Sequence, residues 1–255
     1  MDGTSETRGL GGPDAVSGAR VVAVSRLVLN ESFTEDATVQ ALLPMADEHS
    51  SPDILFDGPA RASCTIALAH GAGAAMDSDF MNVIAGGLAE ARFRVARFEF
   101  PYMAQRRTQG TKRPPDREPK LRQAWLEVID SLKSKQLIIG GKSMGGRIAS
   151  LIAEEADVAG LVCLGYPFHP VGKPDKLRVE HLETIRTPTL IVQGERDTFG
   201  NRDDVVGYSL SSTINVHWLT DGDHSFKPRK ASGRTLEENL AEAVSATVEF
   251  ANALG

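Results

Sequence analysis

Between residues 64 and 219 six short apolar runs recur, and this recurrence limits the fold more than any other feature. They are CTIALA (64–69), RVARFEF (94–100), QLIIG (136–140), GLVCLG (160–165), TLIVQ (189–193) and INVHWL (214–219). A run that is apolar without strict alternation predicts a strand covered on both faces. Helix-like stretches lie between most of them, at 79–91, 119–134, 146–156 and 203–211, and an amphipathic stretch over 235–253 closes the chain. Strands alternating with helices predict one α/β domain over 53–255, with a mostly parallel sheet and helices on both faces. A chain of 255 residues is long enough to bury such a core.

In a sheet of this kind, chemistry collects at the carboxyl ends of the strands. Four runs end in sequence suited to it: HGAGA after 64–69, GKSMGG after 136–140, GERD after 189–193 and DGDH after 214–219. The second of these carries two overlapping motifs. Gly141-Lys142-Ser143 matches the tail of a phosphate-binding loop, and Gly141-x-Ser143-x-Gly145 matches a nucleophile elbow. The phosphate loop needs a glycine five positions before Gly141, where Gln136 stands, and a flexible loop where LIIG reads as strand. The elbow needs a strand, a sharp turn cleared by small residues, and a helix. LII, GKSMGG and RIASLIAEEA supply these in order, so the elbow reading is the better one.

A serine hydroxyl needs a base, and the base needs an orienting acid. Where a nucleophile elbow carries the serine, the acid follows it in the chain and the histidine comes last. Asp197 and His224 follow in that order, each just past a strand run. Ser143, Asp197 and His224 are therefore the candidate nucleophile, acid and base. Glu195 and Asp223 are weaker acids: one lies nearer its strand, and the other adjoins the histidine it would have to orient. Oxyanion donors are expected at the N–H groups of Met144 and Ala72, with Gly71 next.

The net charge of −6 argues against a general nucleic-acid binder. Cys64 and Cys163 sit in apolar runs and read as buried thiols, which fits a reducing cytoplasm. The first 20 residues are too polar to pack and show no signal-peptide core, and no stretch is apolar enough to span a membrane. Residues 21–52 read as leading strands or a linker, and Met45 is a second candidate start. No metal-ligand spacing appears among His49, His70, His169, His181, His217 and His224, and no cofactor is expected.

With these residues in hand, the chain resembles the α/β-hydrolase superfamily from about residue 53 onward. The combination LAHGAGAAMDSDFM, RFEFPYM, GGKSMGGRIAS, CLGYPFHPVGKP, QGERDTFG and DGDHSFKPRK is similar to small bacterial hydrolases related to the dienelactone hydrolases. Those enzymes share a domain with a scaffold subunit of a eukaryotic chromatin acetyltransferase complex, so the fold also exists without known catalysis. The residues and the resemblance together lead to the expectation of a serine hydrolase with a Ser-His-Asp triad and an acyl-enzyme intermediate, a carboxylic-ester hydrolase first, with thioesters, amides and peptides left open and a non-catalytic interaction domain as the alternative. Dienelactone hydrolases use a cysteine where this chain has Ser143, so their substrate is not implied. Lys142 stands where esterases often carry histidine, and is expected to pack or pair beside the elbow.

Two segments frame the expected pocket. PYMAQRRTQGTKRPPDREPK (101–120) is basic, and is either a solvated surface loop or an attractor for anionic substrates. Tyr166, Phe168 and His169, together with His70, are candidate substrate contacts. The stretch between 170 and 189 is too short for a large lid. An open site for a small or medium ester is expected, and the oligomeric state is not readable.

Overall fold

The structure, a computed structural model, describes residues 52–255. The readings made for 1–20 and for 21–51 lie outside the described residues. Seven strands form one sheet among the described residues: β1 (Ile54–Asp57), β2 (Thr65–Ala69), β3 (Arg94–Phe98), β4 (Leu137–Lys142), β5 (Gly160–Leu164), β6 (Thr189–Gly194) and β7 (Ile214–Leu219). Their order across the sheet is β1-β3-β2-β4-β5-β6-β7. All six apolar runs became strands, and the six are parallel to one another. The antiparallel edge strand β1 was missed. It is four residues long and half exposed, so ILFD carries neither the length nor the apolar continuity of an inner strand.

Because strand side chains alternate between faces, each strand feeds two cores. Ile66, Leu68, Val95, Ile138 and Val162 pack on one face, against α1 (Asp79–Glu90) and α6 (Leu236–Ala253). Ala67, Ala69, Ile139, Leu161 and Cys163 face the other way, toward α3 (Glu118–Leu132) and α4 (Met144–Ser150). Trp125 of α3 is fully buried on that second face and meets Phe98 edge to face at 4.6 Å.

The basic segment is not a single loop. Its first half is the helix α2 (Pro101–Gln109), opened by proline at its first position and ended by Gly110 in the left-handed conformation. The helix α5 (Arg202–Val206) is shorter than its predicted stretch, starting in a capping box on Asn201. The predicted helix over 146–156 begins earlier, at Met144, and gives way to turns after Ser150.

The order β3-β2-β4 holds the feature that places the site. After β2 the chain crosses to β3 on one side, then returns to β4 on the other. Loops leaving β2 and β4 therefore diverge, opening a crevice at their carboxyl ends. HGAGA and KSMGG are the two loops that line it.

Candidate active site

Ser143 sits between β4 and α4 with φ 51° and ψ −115°. Such a conformation costs a non-glycine residue about 1–3 kcal/mol and persists only where its surroundings enforce it. Here the enforcement is visible. A Cβ on Gly141 would lie 2.1 Å from the Ala69 carbonyl oxygen, and one on Gly145 would lie 2.4 Å from the same atom. Only glycine on both sides lets the turn press this closely against β2. The Ser143 N–H donates to the Leu164 carbonyl at 2.9 Å, tying the turn to β5 as well. Gly140 and Gly141 are strand residues paired with β5 and β2, so this backbone is not free to wrap a phosphate.

The serine, histidine and aspartate meet. Ser143 Oγ lies 2.8 Å from His224 Nε2, and His224 Nδ1 lies 2.7 Å from Asp197 Oδ2. The carboxylate can only accept, so Nδ1 carries the proton and Nε2 is left to accept from the serine. Asp197 is fully buried, and it is fixed by two further donors. The Phe199 N–H reaches Oδ1 at 2.9 Å, and Gln193 Nε2 reaches Oδ2 at 3.0 Å. The ring of Phe199 packs on the His224 ring at 4.3 Å. The rival acids point elsewhere: Glu195 bonds Arg202 and the Asp221 N–H, while Asp223 caps the N–H groups of Ser225 and Lys227.

The loop after β2 is held from behind by two buried groups. Phe100 donates its N–H to His70 Nε2, so the His70 proton is on Nδ1, which donates to the Gly71 carbonyl at 2.6 Å. Burial lowers the His70 pKa and keeps the ring neutral. Tyr102 donates its hydroxyl to the Ala72 carbonyl at 3.0 Å. In a planar trans peptide the N–H points opposite the C=O, so the Ala72 N–H points away from His70. Ala72 and Gly71 line the same cavity as Ser143. A Cβ on Gly71 would lie 3.7 Å from Ser143 Cβ. Met144 opens α4, and the first N–H groups of a helix have no partner within it.

The four expected substrate contacts do not line this cavity. His70 is a strut with 0% exposure. Tyr166 and Phe168 are buried on the far side of Asp197: Tyr166 exchanges two bonds with Gln193, the residue that also holds the acid. Phe168 packs under Gly200, and His169 is buried beside it, with Nδ1 set against the Pro170 carbonyl. The GYPFH motif thus braces Asp197 through Gln193 and does not line the cavity. The sequence signalled aromatic surface near the nucleophile, but not which way it faces. Gln193 and Phe199 were overlooked; a polar residue ending the fully buried run TLIVQ was the available hint for the first.

Lys142 pairs beside the elbow, as its position suggested. Its ammonium donates to the His224 carbonyl and lies 5.3 Å from the Phe80 ring centre and 5.4 Å from that of Phe226. Burial pulls its pKa down to about 8, against the opposing pull of Asp197 and Asp223. A second serine–histidine contact joins Ser150 to His181 at 2.8 Å. It lies outside the cavity, Ser150 is buried and also bonded to the Arg147 carbonyl, and among the described residues no carboxylate bonds the ring. Both cysteines are free and buried, and burial pushes the Cys64 thiol up to about 11 and the Cys163 thiol higher still.

A cavity of about 1090 Å³ opens at Ser143 and His224. None of the basic residues of 101–120 lines it. Arg107 is committed to Asp77 and Glu99, Arg113 bonds Gln105, and Lys120 pairs with Asp116. Among the described residues no cluster of three or more metal-binding side chains occurs, and no helix is long and apolar enough to cross a membrane.

The family described as "Alpha/beta hydrolase domain" matches residues 62–252. An alpha-beta serine hydrolase homologue from Coxiella burnetii is 19% identical at a TM-score of 0.55, covering 77% of this chain and 89% of its own. A lidless serine hydrolase from Xanthomonas campestris is 17% identical at a TM-score of 0.57, over 76% of this chain and 88% of its own. Est1E from Butyrivibrio proteoclasticus, solved with ferulic acid, is 17% identical at a TM-score of 0.59, covering 79% and 95% of the two chains. At these identities the structural likeness is one of fold.

Proposed function

Since the chain belongs to the α/β-hydrolase family, we propose that it is a serine hydrolase acting on carboxylic esters through Ser143, His224 and Asp197. The observation that carries this reading is the unbroken hydrogen-bonded line from Ser143 Oγ through His224 to a buried Asp197. In this mechanism Ser143 Oγ attacks the acyl carbon as its proton passes to His224 Nε2. The imidazolium is stabilised by Asp197, and the oxyanion is met by the N–H groups of Ala72 and Met144. Collapse expels the alcohol with the proton from His224 and leaves an acyl-serine. Water, activated by the same histidine, then releases the acid. The site needs no cofactor, because nucleophile, base and oxyanion donors are all supplied by the chain. Kinship with the dienelactone-hydrolase-related enzymes is part of the same reading and rests on the quoted motifs.

Treatment with a small fluorophosphonate, followed by intact-mass measurement, tests it. One adduct is expected on the wild type and none on Ser143→Ala, with ester turnover lost in the variant. A folded wild type that takes no adduct would leave an interaction domain as the better account.

A further inference from the structure

The cavity at Ser143 does not stop at the triad. Away from the serine it continues as a groove between α1 and α6, lined by Phe80, Val83, Gly86, Leu236, Leu240 and Ala241. These wall residues recur at helical spacing, so one stripe of each helix forms each wall. The stretch of α1 concerned, from Asp79 to Glu90, is roughly 16 Å long. The helices meet at its floor, where a Cβ on Gly87 would lie 2.8 Å from a Val244 methyl. One residue earlier the situation reverses: a Cβ on Gly86 would have no atom within 4 Å.

Carboxylates dominate the charge along the groove. Asp79, Glu90 and Glu237 stand on its lining, and Lys142, the only lysine or arginine there among the described residues, is engaged by the His224 carbonyl. Among the described residues, an anionic group in this groove would meet carboxylates and no unengaged lysine or arginine. We infer that the groove seats an extended, uncharged apolar chain joined to the scissile ester, so that the substrate class is long-chain alkyl or acyl esters without a second charge. The inference rests on the serine-hydrolase reading above. It extends the expected acyl size beyond small or medium, because the walls run on well past the reacting serine. Continuity with Ser143 and His224 in one cavity marks the occupant as substrate.

Two ester series on the full-length chain test this, one from p-nitrophenyl acetate to p-nitrophenyl laurate and one of acetate esters from ethyl to dodecyl, followed by acid release. The first places the chain on the acyl side and the second on the alcohol side. In one series kcat/KM is expected to rise at least a hundredfold with length, and an ω-carboxylate on the best substrate is expected to remove most of the gain. Gly86→Leu and Ala241→Leu, which fill the groove from opposite walls, are expected to lower the long-to-short ratio at least tenfold. Flat profiles in both series, with acetate turned over and Ser143 labelled, overturn the groove inference alone. Flat profiles with a lower Tm in both variants overturn it in favour of a groove filled by another segment of this chain. No labelling and no ester turnover overturn the hydrolase reading itself, and the groove inference with it.

Discussion

Lys142 shows how much a single side chain beside the elbow controls. Its ammonium is held near two carboxylates, Asp197 and Asp223, yet burial dominates and sets its pKa at about 8. The neighbouring α1 contributes Phe80, and the loop after β7 contributes Phe226 together with the His224 carbonyl. Below pH 8 a charge-assisted bond fixes the loop that carries His224, the proposed catalytic base. Above it the amine is neutral and the bond is no longer charge-assisted, a weakening of about 1 kcal/mol. The pH profile of kcat is therefore expected to fall as pH rises through about 8. Lys142→Met is expected to be slower at pH 7 and to lack that alkaline limb, which a pH-resolved kinetic series on both proteins reads directly. A profile unchanged in Lys142→Met would remove Lys142 from the control of His224.

At the scale of elements, the strand–elbow–helix unit depends on two backbones approaching more closely than a methyl group allows. Gly141→Ala would drive its Cβ against the Ala69 carbonyl of β2 at a φ of 148°. Both atoms belong to buried residues of paired inner strands, so neither can retreat cheaply. A loss of about 3 kcal/mol or more is expected, read as a lower urea midpoint with an unchanged slope. Gly86→Ala is the counterpart within a helix. It has empty space before it, and it is expected to stabilise α1 by up to about 1 kcal/mol. The motif GKSMGG foretold the first glycine's role, because elbow geometry is local. No local pattern distinguishes Gly86 from Gly87, since only α6 packing across from them separates the two.

On the scale of the whole molecule, Arg97 joins parts that sequence keeps far apart. The guanidinium is 6% exposed and bonds Asp57 on β1, the Met76 carbonyl after β2, and Asn82 on α1. Asp57→Ala leaves that cation buried without its carboxylate. It is expected to cost about 3 kcal/mol and lower Tm by roughly 10 °C. The pair Asp57→Leu with Arg97→Met is expected to lose less than Asp57→Ala alone, because neither charge then remains to be buried; thermal melts of the three proteins decide it. What the amino-acid sequence determined is what short-range physics sets: the uninterrupted apolar strands, the glycine-flanked serine turn, and an acid and a histidine each placed just past a strand. The parallel sheet brings those strand ends to one edge, so the order Ser143, Asp197, His224 sufficed to name three residues that meet. The facing of GYPFH, the exclusion of the basic segment from the cavity and the groove between α1 and α6 were decided by tertiary structure. Each depends on which side of a loop or helix is covered by an element distant in the chain, and sequence periodicity carries no record of that partner.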